Sequence, residues 1–171
     1  LVVWATGVSG LGELSDRLGV MVGNGVKGQA AVLGHDLGPQ PQLFVDGLHL
    51  VPHDDGTVAV GSTSERAFED AGATDGQLDD LISKAADVLP EMRNAKVLQR
   101  WAGVRPRARG GAPMLGHWPD RPGHFVANGG FKIGFGMAPK VAEVMADLIL
   151  EGRDAIPEGF GVKTNLPVSA R

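Results

Sequence analysis

The sequence predicts a mixed α/β fold, with an antiparallel sheet, a helix beside that sheet and a buried parallel strand at the start of the chain. The apolar run at residues 1–5 is typical of a strand buried on both faces in a parallel sheet. Residues 43–52 and 57–62 have strand character and flank the turn His53-Asp-Asp-Gly56, which is typical of an antiparallel hairpin. Apolar residues then recur at helical spacing between 78 and 89, which predicts an amphipathic helix.

Composition excludes several classes of function. The chain has 171 residues, enough for one or two domains, and a net charge of −4 with no basic stripe, so nucleic acid is not an expected partner. It has no cysteine, which rules out disulfides and a cysteinyl link to a cofactor. No apolar run approaches the ~20 residues that span a bilayer, and no leader pattern opens the chain. We therefore expect a soluble, cytoplasmic protein without a membrane span.

Glycine is over-represented, and the chain opens abruptly. The 26 glycines are spread between apolar runs, which predicts many turns and close backbone approaches. A strand pattern that begins at Leu1 needs neighbouring strands before it as well as after it. We therefore expect the sequence to be part of a longer polypeptide whose amino-terminal half is absent from it.

Two turns near the start of the chain allow different interpretations. Thr6-Gly7 ends the first strand, as it could end any buried strand. The segment Gly23-Asn-Gly-Val-Lys-Gly28 fits the spacing of a dinucleotide-binding fingerprint. However, a fingerprint requires a crossover helix at its last glycine, and residues 29–33 form only a short apolar run that stops at Gly34. We therefore do not expect a phosphate-binding loop here.

Spacing and punctuation predict two helices. In the first, Thr74 is the expected cap, Gln77 reaches back to it and Pro90 ends the pattern. The core-facing residues of this helix are Leu78, Leu81, Ile82, Ala85 and Leu89. The second helix is expected to begin at Pro139 and to end at Gly152. Its buried stripe is Val141, Val144, Met145, Leu148 and Ile149.

Two segments, 99–107 and 128–139, each combine a cation with Gly and Pro at the end of an apolar run. This arrangement is expected where the backbone turns tightly around a small anionic ligand. A strand at 96–103 should deliver Arg105 at its end, where the planar guanidinium could hold a carboxylate, and Lys132 would add a point charge. Local sequence leaves open that Arg105 pairs with a surface acid and that Lys132 lies in solvent.

The remaining basic side chains give weaker evidence of a binding site. Arg107 and Arg109 are expected to be solvated. The five histidines, at positions 35, 49, 53, 117 and 124, show no pair at a metal-ligand spacing on one helix. We therefore predict no metal site.

An ordered series of motifs resembles the carboxyl-terminal half of the D-amino-acid oxidase superfamily, with the glycine oxidase and sarcosine oxidase branches nearest. The motifs are Trp-Ala-Gly-Val-Arg-Pro at 101–106, Gly-Ala-Pro-Met-Leu-Gly at 111–116, Phe-Val-Ala-Asn-Gly-Gly-Phe-Lys at 125–132 and Ala-Pro at 138–139. Segments 2–7, 26–29, 48–52 and 56–61 fit the family in the same order. The resemblance covers the chain from Val2 to about Gly152.

The resemblance implies a domain organisation in which both chain ends belong to an incomplete parallel, Rossmann-like FAD-binding domain. Residues 1–26 would end that domain, 27–127 would form the substrate-binding domain with its antiparallel sheet, 128–154 would return to the FAD-binding domain with a closing helix, and 155–171 would form a tail.

The resemblance also implies FAD-dependent oxidation of a small amine or amino acid at its C–N bond, with noncovalent FAD and a carboxylate-bearing amine as substrate. The implied substrate-binding residues are Arg105, Lys132 and His49. The implied cofactor-binding residues are Thr6, Gly7, Gly130, Phe131, Lys132, Ile133 and Gly134. No catalytic acid or base is implied. His49 aligns with a Tyr of glycine oxidase-like proteins, and a lone histidine on a strand is more often structural.

Two alternatives stay open at this point. The same fold could serve a dehydrogenase that oxidises a 2-hydroxy acid or an amine and passes electrons to an acceptor other than oxygen. The chain could also be a noncatalytic fragment that lacks the dinucleotide-binding half. The sequence makes no prediction of oligomeric state.

Overall fold

The computed structural model describes residues 1–166, so residues 167–171 of the predicted tail lie outside the described residues. The described part has a mixed α/β fold. Its strands are β1 (Val2–Trp4), β2 (Gly23–Gly34), β3 (Leu43–Val45), β4 (Leu48–Pro52), β5 (Thr57–Gly61), β6 (Lys96–Ala108), β7 (Met114–His117) and β8 (His124–Asn128). Its α-helices are α1 (Gly7–Leu18), α2 (Gly76–Val88) and α3 (Gly134–Ala146).

The chain forms two compact units. The first unit contains Leu1–Gly25 and the residues from Arg105 onward, and the second contains Val26–Val104. The first division lies next to the predicted boundary after residue 26. The second division lies after Val104, whereas the predicted boundary was after residue 127.

The first unit contains a three-stranded sheet in the order β1-β8-β7. β1 pairs with β8 in parallel, from Val2 opposite His124 to Trp4 opposite Val126, and β7 pairs with β8 in antiparallel. A parallel strand at the chain start is thus confirmed. Its predicted burial on both faces is wrong for the described residues, because β1 is an edge strand with Val2 43% and Val3 46% exposed.

Helix α1 was missed by the sequence analysis, although its apolar spacing is present in the sequence. Leu11 and Leu14 are at most 1% exposed and pack in a core with residues from β6, β7 and β8. Leu18 continues the same stripe one turn later and packs against that core. Gly19 ends the helix with a φ of 64°, a left-handed conformation that glycine adopts at low cost.

The second unit contains a five-stranded sheet in the order β3-β4-β5-β2-β6. The pairs β3–β4, β4–β5 and β2–β5 are antiparallel. The predicted hairpin around residues 53–56 is confirmed, since the amide of His53 donates to the carbonyl oxygen of Thr57 at 2.9 Å. The predicted single strand at 43–52 is wrong. Asp46 and Gly47, with φ of 47° and 78°, turn the chain between β3 and β4, as Asp-Gly commonly does in hairpins.

Helix α2 packs on this sheet with the predicted stripe, in which Leu78 and Ala85 are fully buried. Thr74 was the wrong cap. Asp75 occupies that position, and its side chain accepts a hydrogen bond of 3.0 Å from the amide of Gln77. Asp and Thr are both common caps, so sequence alone placed the first turn one residue too early.

A buried polar network ties β2 to the segment that follows β5. Lys27 and Glu65 are 3% and 7% exposed, and their Nζ and Oε2 atoms are 3.6 Å apart. Gln29 is fully buried, and its Nε2 donates to Glu65 Oε1 at 3.0 Å. The Thr63 hydroxyl also donates to Glu65. Each charge in this network therefore has partners inside the fold.

One strand boundary differs from its prediction, and the interpretation of segment 23–28 is confirmed. Strand β6 runs through Arg105 to Ala108, so Arg105 lies inside the strand and not at its end. Segment 23–28 forms the start of β2, which confirms that it is not a fingerprint followed by a helix.

Helix α3 begins at Gly134, so the predicted start at Pro139 is wrong. Pro139 lies inside the helix, where it removes only the hydrogen bond to the carbonyl of Phe135. The predicted stripe is confirmed, with Val144 and Met145 buried, and the helix continues through Asp147–Glu151 to Gly152 at a φ of 67°.

Candidate functional site

A cleft of about 570 Å³ opens in the first unit at the edge of the sheet where β1 and β8 end. These two strands are parallel, so their carboxyl ends meet at the same edge, and each leads into a helix that begins there. Residues from both strand-to-helix turns line the cleft, among them Ala5, Gly7, Asn128, Gly129, Gly130 and Gly134. Apolar side chains form much of the remaining wall, among them Pro106, Leu115, Phe131, Met137 and Val141.

The amino ends of α1 and α3 both face this cleft through Gly7 and Gly134. Within residues 1–166, neither helix has a side-chain cap, since Thr6 and Ile133 at the cap positions make no capping hydrogen bond. Amides in the first turn of a helix have no carbonyl partner within the helix and carry a partial positive charge. The cleft can therefore accept a negatively polarised group from two directions.

Two glycines at this sheet edge have different surroundings, one packed against a strand and one facing open space. Gly129 has a φ of 76°, and a Cβ on it would lie 2.6 Å from Cβ of Ala108, so only glycine fits against β6. A Cβ on Gly134, by contrast, would meet no other part of the described chain within 4 Å. The turn is thus held tightly to the strand while the space in front of α3 stays open.

Lys132 and Phe131 stand at the rim of the cleft. Lys132 lines it, and its Nζ lies 5.6 Å from the centroid of the Phe131 ring. Arg107 was expected to be solvated, but it is half-buried, with its Cζ 5.9 Å from the same ring. Two cations therefore approach one aromatic ring beside the cleft, a favourable arrangement for both. Phe131 itself has a φ of 46°, unusual for a residue with a side chain.

The structure brings together five of the seven residues predicted to bind a cofactor. Gly7, Gly130, Phe131, Lys132 and Gly134 all line the cleft. The other two are the residues at the cap positions, which precede the lining residues of their helices. Other lining residues were not predicted to bind a ligand, among them Ala5, Pro106, Asn128 and Met137. The Asn-Gly-Gly sequence at the end of a strand was the available signal for Asn128.

The three predicted substrate-binding residues are placed differently. Lys132 lines the cleft, whereas Arg105 is half-buried in β6 next to the lining residue Pro106 and does not itself line it among the described residues. His49 belongs to the second unit. Its Nδ1 lies 2.9 Å from Nε2 of Gln42, and its ring centroid lies 4.5 Å from that of Phe44 on the neighbouring strand, with the two ring planes tilted by 34°.

Residues 1–166 contain no group of three or more His, Cys, Asp or Glu side chains placed to hold a metal ion. Over the same residues, no helix combines the length and the apolar character required to cross a bilayer.

Two uncapped helix ends that share a mostly apolar cleft are typical of a site for a cofactor with a polarised or anionic group. Comparison with known families agrees with this class. The family model described as DAO, FAD dependent oxidoreductase, matches residues 1–148, and the chain belongs to this family. The family resemblance predicted from the sequence is therefore confirmed, and with it FAD as the family's cofactor.

Among the similar proteins are bacterial glycine oxidases. The chain is 33% identical to glycine oxidase of Bacillus licheniformis over 126 residues. This aligned segment covers 73% of this chain and 34% of that protein. It is 31% identical over 146 residues to glycine oxidase of Geobacillus kaustophilus, covering 81% of this chain and 38% of that protein. A crystal structure of glycine oxidase from Geobacillus kaustophilus superposes with a TM-score of 0.79 at 28% identity, over 94% of this chain and 44% of that one. The chain thus spans less than half the length of these relatives.

Proposed function

We propose that this chain belongs to an enzyme that uses noncovalent FAD to oxidise a small amine or amino acid at its C–N bond. In this proposal the cleft of the first unit holds part of the flavin. The observation that carries the proposal is the convergence of two uncapped helix ends, α1 and α3, on one open apolar cleft. The similarity to glycine oxidases supports an amino acid as the substrate class.

The residues present fit a flavin. A planar, largely apolar ring system can pack against walls such as Pro106, Leu115 and Phe131, and the open space in front of Gly134 gives it room. The amides at the helix ends can donate to polarised oxygen atoms of such a ring. The chain has no cysteine that could form a thioether to the cofactor, which agrees with noncovalent binding.

When bound, FAD would supply a two-electron acceptor that takes a hydride from the carbon next to the substrate nitrogen, leaving an imine that water hydrolyses. The chain's own contribution is placement and electrostatics. The amino ends of α1 and α3 would stabilise negative charge at the cleft. Lys132 places a further positive charge at the rim.

Arg105 is proposed to bind the carboxylate of the substrate. Its planar guanidinium can donate two parallel hydrogen bonds to a carboxylate, which fixes the orientation of the substrate as well as its position. Holding reacting groups in line in this way can lower a barrier by roughly 7–11 kcal/mol where alignment is near ideal. A contact between His49 and the substrate stays a prediction.

The same proposal assigns roles to the two units. The first unit would contribute to the FAD-binding domain, because it carries the parallel β1–β8 pair and the cleft. The second unit, with its five-stranded sheet, would be the substrate-binding domain. Residues 155–166 have no assigned role, although Val162 and Asn165 are buried in the first unit.

The experiment is to purify the full-length protein that contains this chain and record its visible absorption, then to assay glycine and other small amino acids under air and with an artificial electron acceptor. Bound flavin with peroxide formation under air supports an oxidase, and activity only with the acceptor supports a dehydrogenase. A protein that takes up no flavin even after incubation with FAD would contradict the proposal and favour a noncatalytic module. Activity on 2-hydroxy acids but not on amines would overturn the substrate class.

A further inference from the structure

Asn128 ends strand β8 and lies at the floor of the cleft with its side chain only 9% exposed. Its Nδ2 donates to the carbonyl oxygen of Gly7 at 2.8 Å, across a sequence separation of 121 residues. Its Oδ1 accepts from the amide of Gly129 at 2.7 Å. One carboxamide therefore connects the first residue of α1 with the turn that precedes α3.

Glycine stands at both ends of this connection, in backbone conformations that other residues disfavour. Gly7 and Gly129 have φ of 64° and 76°, in the left-handed region. The first turn of α1 also packs closely on the carboxamide, since a Cβ on Gly10 would lie 3.0 Å from Nδ2 of Asn128. A change in the Asn128 side chain should therefore move α1 as well as the turn that leads to α3.

We propose that Asn128 is a positioning residue that sets the spacing between the amino ends of α1 and α3, and so the shape of the cleft that faces the flavin. Only the identity of the ligand rests on the proposed function. The side chain suits this task because a carboxamide offers a donor and an acceptor from one planar group. An alanine supplies neither hydrogen bond, and an ionised aspartate keeps the acceptor for Gly129 but loses the donor for Gly7.

The first unit offers a matched control in Asn165, which is fully buried. Its Oδ1 accepts from the amide of Gly110 at 2.7 Å, and its Nδ2 donates to the carbonyl oxygen of Gly161 at 3.3 Å. Asn165 makes the same two kinds of hydrogen bond as Asn128, but it is not part of the cleft lining. Substitution of Asn165 therefore reports the cost of losing such bonds without a change at the helix ends.

The first experiment measures amide hydrogen exchange in the protein without FAD. In Asn128→Ala, protection of the second turn of α1, residues 11–14, whose amides donate to the carbonyls of residues 7–10, should fall by about tenfold or more, while Asn165→Ala leaves it within about twofold. Asn128→Asp keeps the size of the side chain and serves if the alanine variant does not fold. It should retain protection at Gly129 and lose it at α1. Unchanged exchange at α1 in both Asn128 variants would overturn the proposal.

The second experiment measures FAD affinity and the visible circular dichroism of the bound flavin. Asn128→Ala should raise the Kd for FAD by about tenfold or more and change the flavin spectrum, because the two helix ends no longer hold their spacing. Asn165→Ala should leave both unchanged. Equal losses of FAD affinity in the two variants would show general destabilisation and contradict the positioning role. If the wild-type protein takes up no FAD, the proposed function fails, and hydrogen exchange alone decides the role of Asn128.

Discussion

The two units differ in whether their polar groups find partners within the fold. In the second unit, the buried Lys27 and Glu65 are enclosed by partners from the same unit, with Gln29 and Thr63 completing the hydrogen bonds. In the first unit, the amino ends of α1 and α3 open on the cleft without a side-chain cap among residues 1–166. A closed network stabilises a fold, whereas open donors beside an apolar wall are available to a ligand.

This difference explains why burial alone does not identify the site. Lys27 is far more buried than Lys132, yet its charge has a carboxylate partner within the fold. Lys132 is exposed at the rim of the cleft, with its Nζ 5.6 Å from the centroid of the Phe131 ring. Substitutions in the closed network should therefore change stability first, and substitutions at the cleft should change ligand binding first.

The largest effect on stability is expected from Glu65→Leu. Removing one partner leaves the charge of Lys27 buried and uncompensated, which costs about 3–5 kcal/mol. Urea unfolding followed by circular dichroism measures this loss. The double variant Lys27→Met with Glu65→Leu should recover much of it. A loss no larger than that of Glu143→Gln, which breaks the exposed Lys140–Glu143 pair, would show that the network is not closed.

The largest effect on kinetics is expected from Arg105→Leu. If Arg105 binds the substrate carboxylate, the variant should raise KM for carboxylated amines by a factor that corresponds to about 2–5 kcal/mol. Steady-state kinetics of the holoenzyme measure this change. The control is Arg109→Leu, since Arg109 is exposed and should leave KM unaltered. Unchanged kinetics for Arg105→Leu would remove this residue from the site.

Gly129→Ala should damage the compact side of the cleft. The new Cβ would lie 2.6 Å from Cβ of Ala108 in a backbone conformation that alanine disfavours, so we expect a stability loss of about 1–3 kcal/mol. Thermal unfolding of the protein without FAD measures it. A variant as stable as the wild type would mean that the turn does not press on β6 as the structure has it.

Gly134→Ala should separate stability from binding. Its Cβ enters open space, so the helix should gain up to about 1 kcal/mol or stay neutral. FAD affinity should nevertheless fall by about tenfold, because the methyl group occupies the space proposed for the flavin. Gly136→Ala, also in open space on α3 but not part of the cleft lining, is the control. Equal affinities in the two variants would contradict the proposed placement.

The smallest effect concerns pH. Burial raises the pKa of Glu65, but the hydrogen bonds from Thr63 and Gln29 and the charge of Lys27 outweigh it and lower the net pKa below the ordinary value of 4.5. The unfolded chain therefore binds the proton first, and stability falls as pH drops below about 4.5. Asp75, which faces the same group, opposes part of the lowering. Between neutral pH and about pH 3, the urea concentration at the unfolding midpoint should fall less steeply in Glu65→Gln than in the wild type.

Regular periodicity was the part of the sequence that predicted the fold well. The stripes of α2 and α3 and the hairpin at 53–56 follow from spacing that burial enforces. Boundaries were less accessible. The helix α3 starts before Pro139 because proline near a helix start removes a single hydrogen bond, and Asp46-Gly47 divides a run that looked continuous.

Local sequence predicted the site only as separate sets of turn residues, and only the family resemblance assigned both sets to one cofactor. Glycines near positions 7 and 130 marked two turns, but nothing local shows that two segments so far apart in sequence meet at one sheet edge. That meeting depends on the parallel pairing of β1 with β8. The role inferred for Asn128 depends on it too, because its partner Gly7 begins the other helix. Long-range contacts of this kind leave no periodic signal in a single sequence.

The most direct measurement compares amide hydrogen exchange of the protein before and after FAD is added. The account predicts new protection at the starts of α1 and α3, residues 7–10 and 130–137, and little change in the hairpin strands β4 and β5. FAD binding that leaves both helix starts as exposed to exchange as before would contradict it.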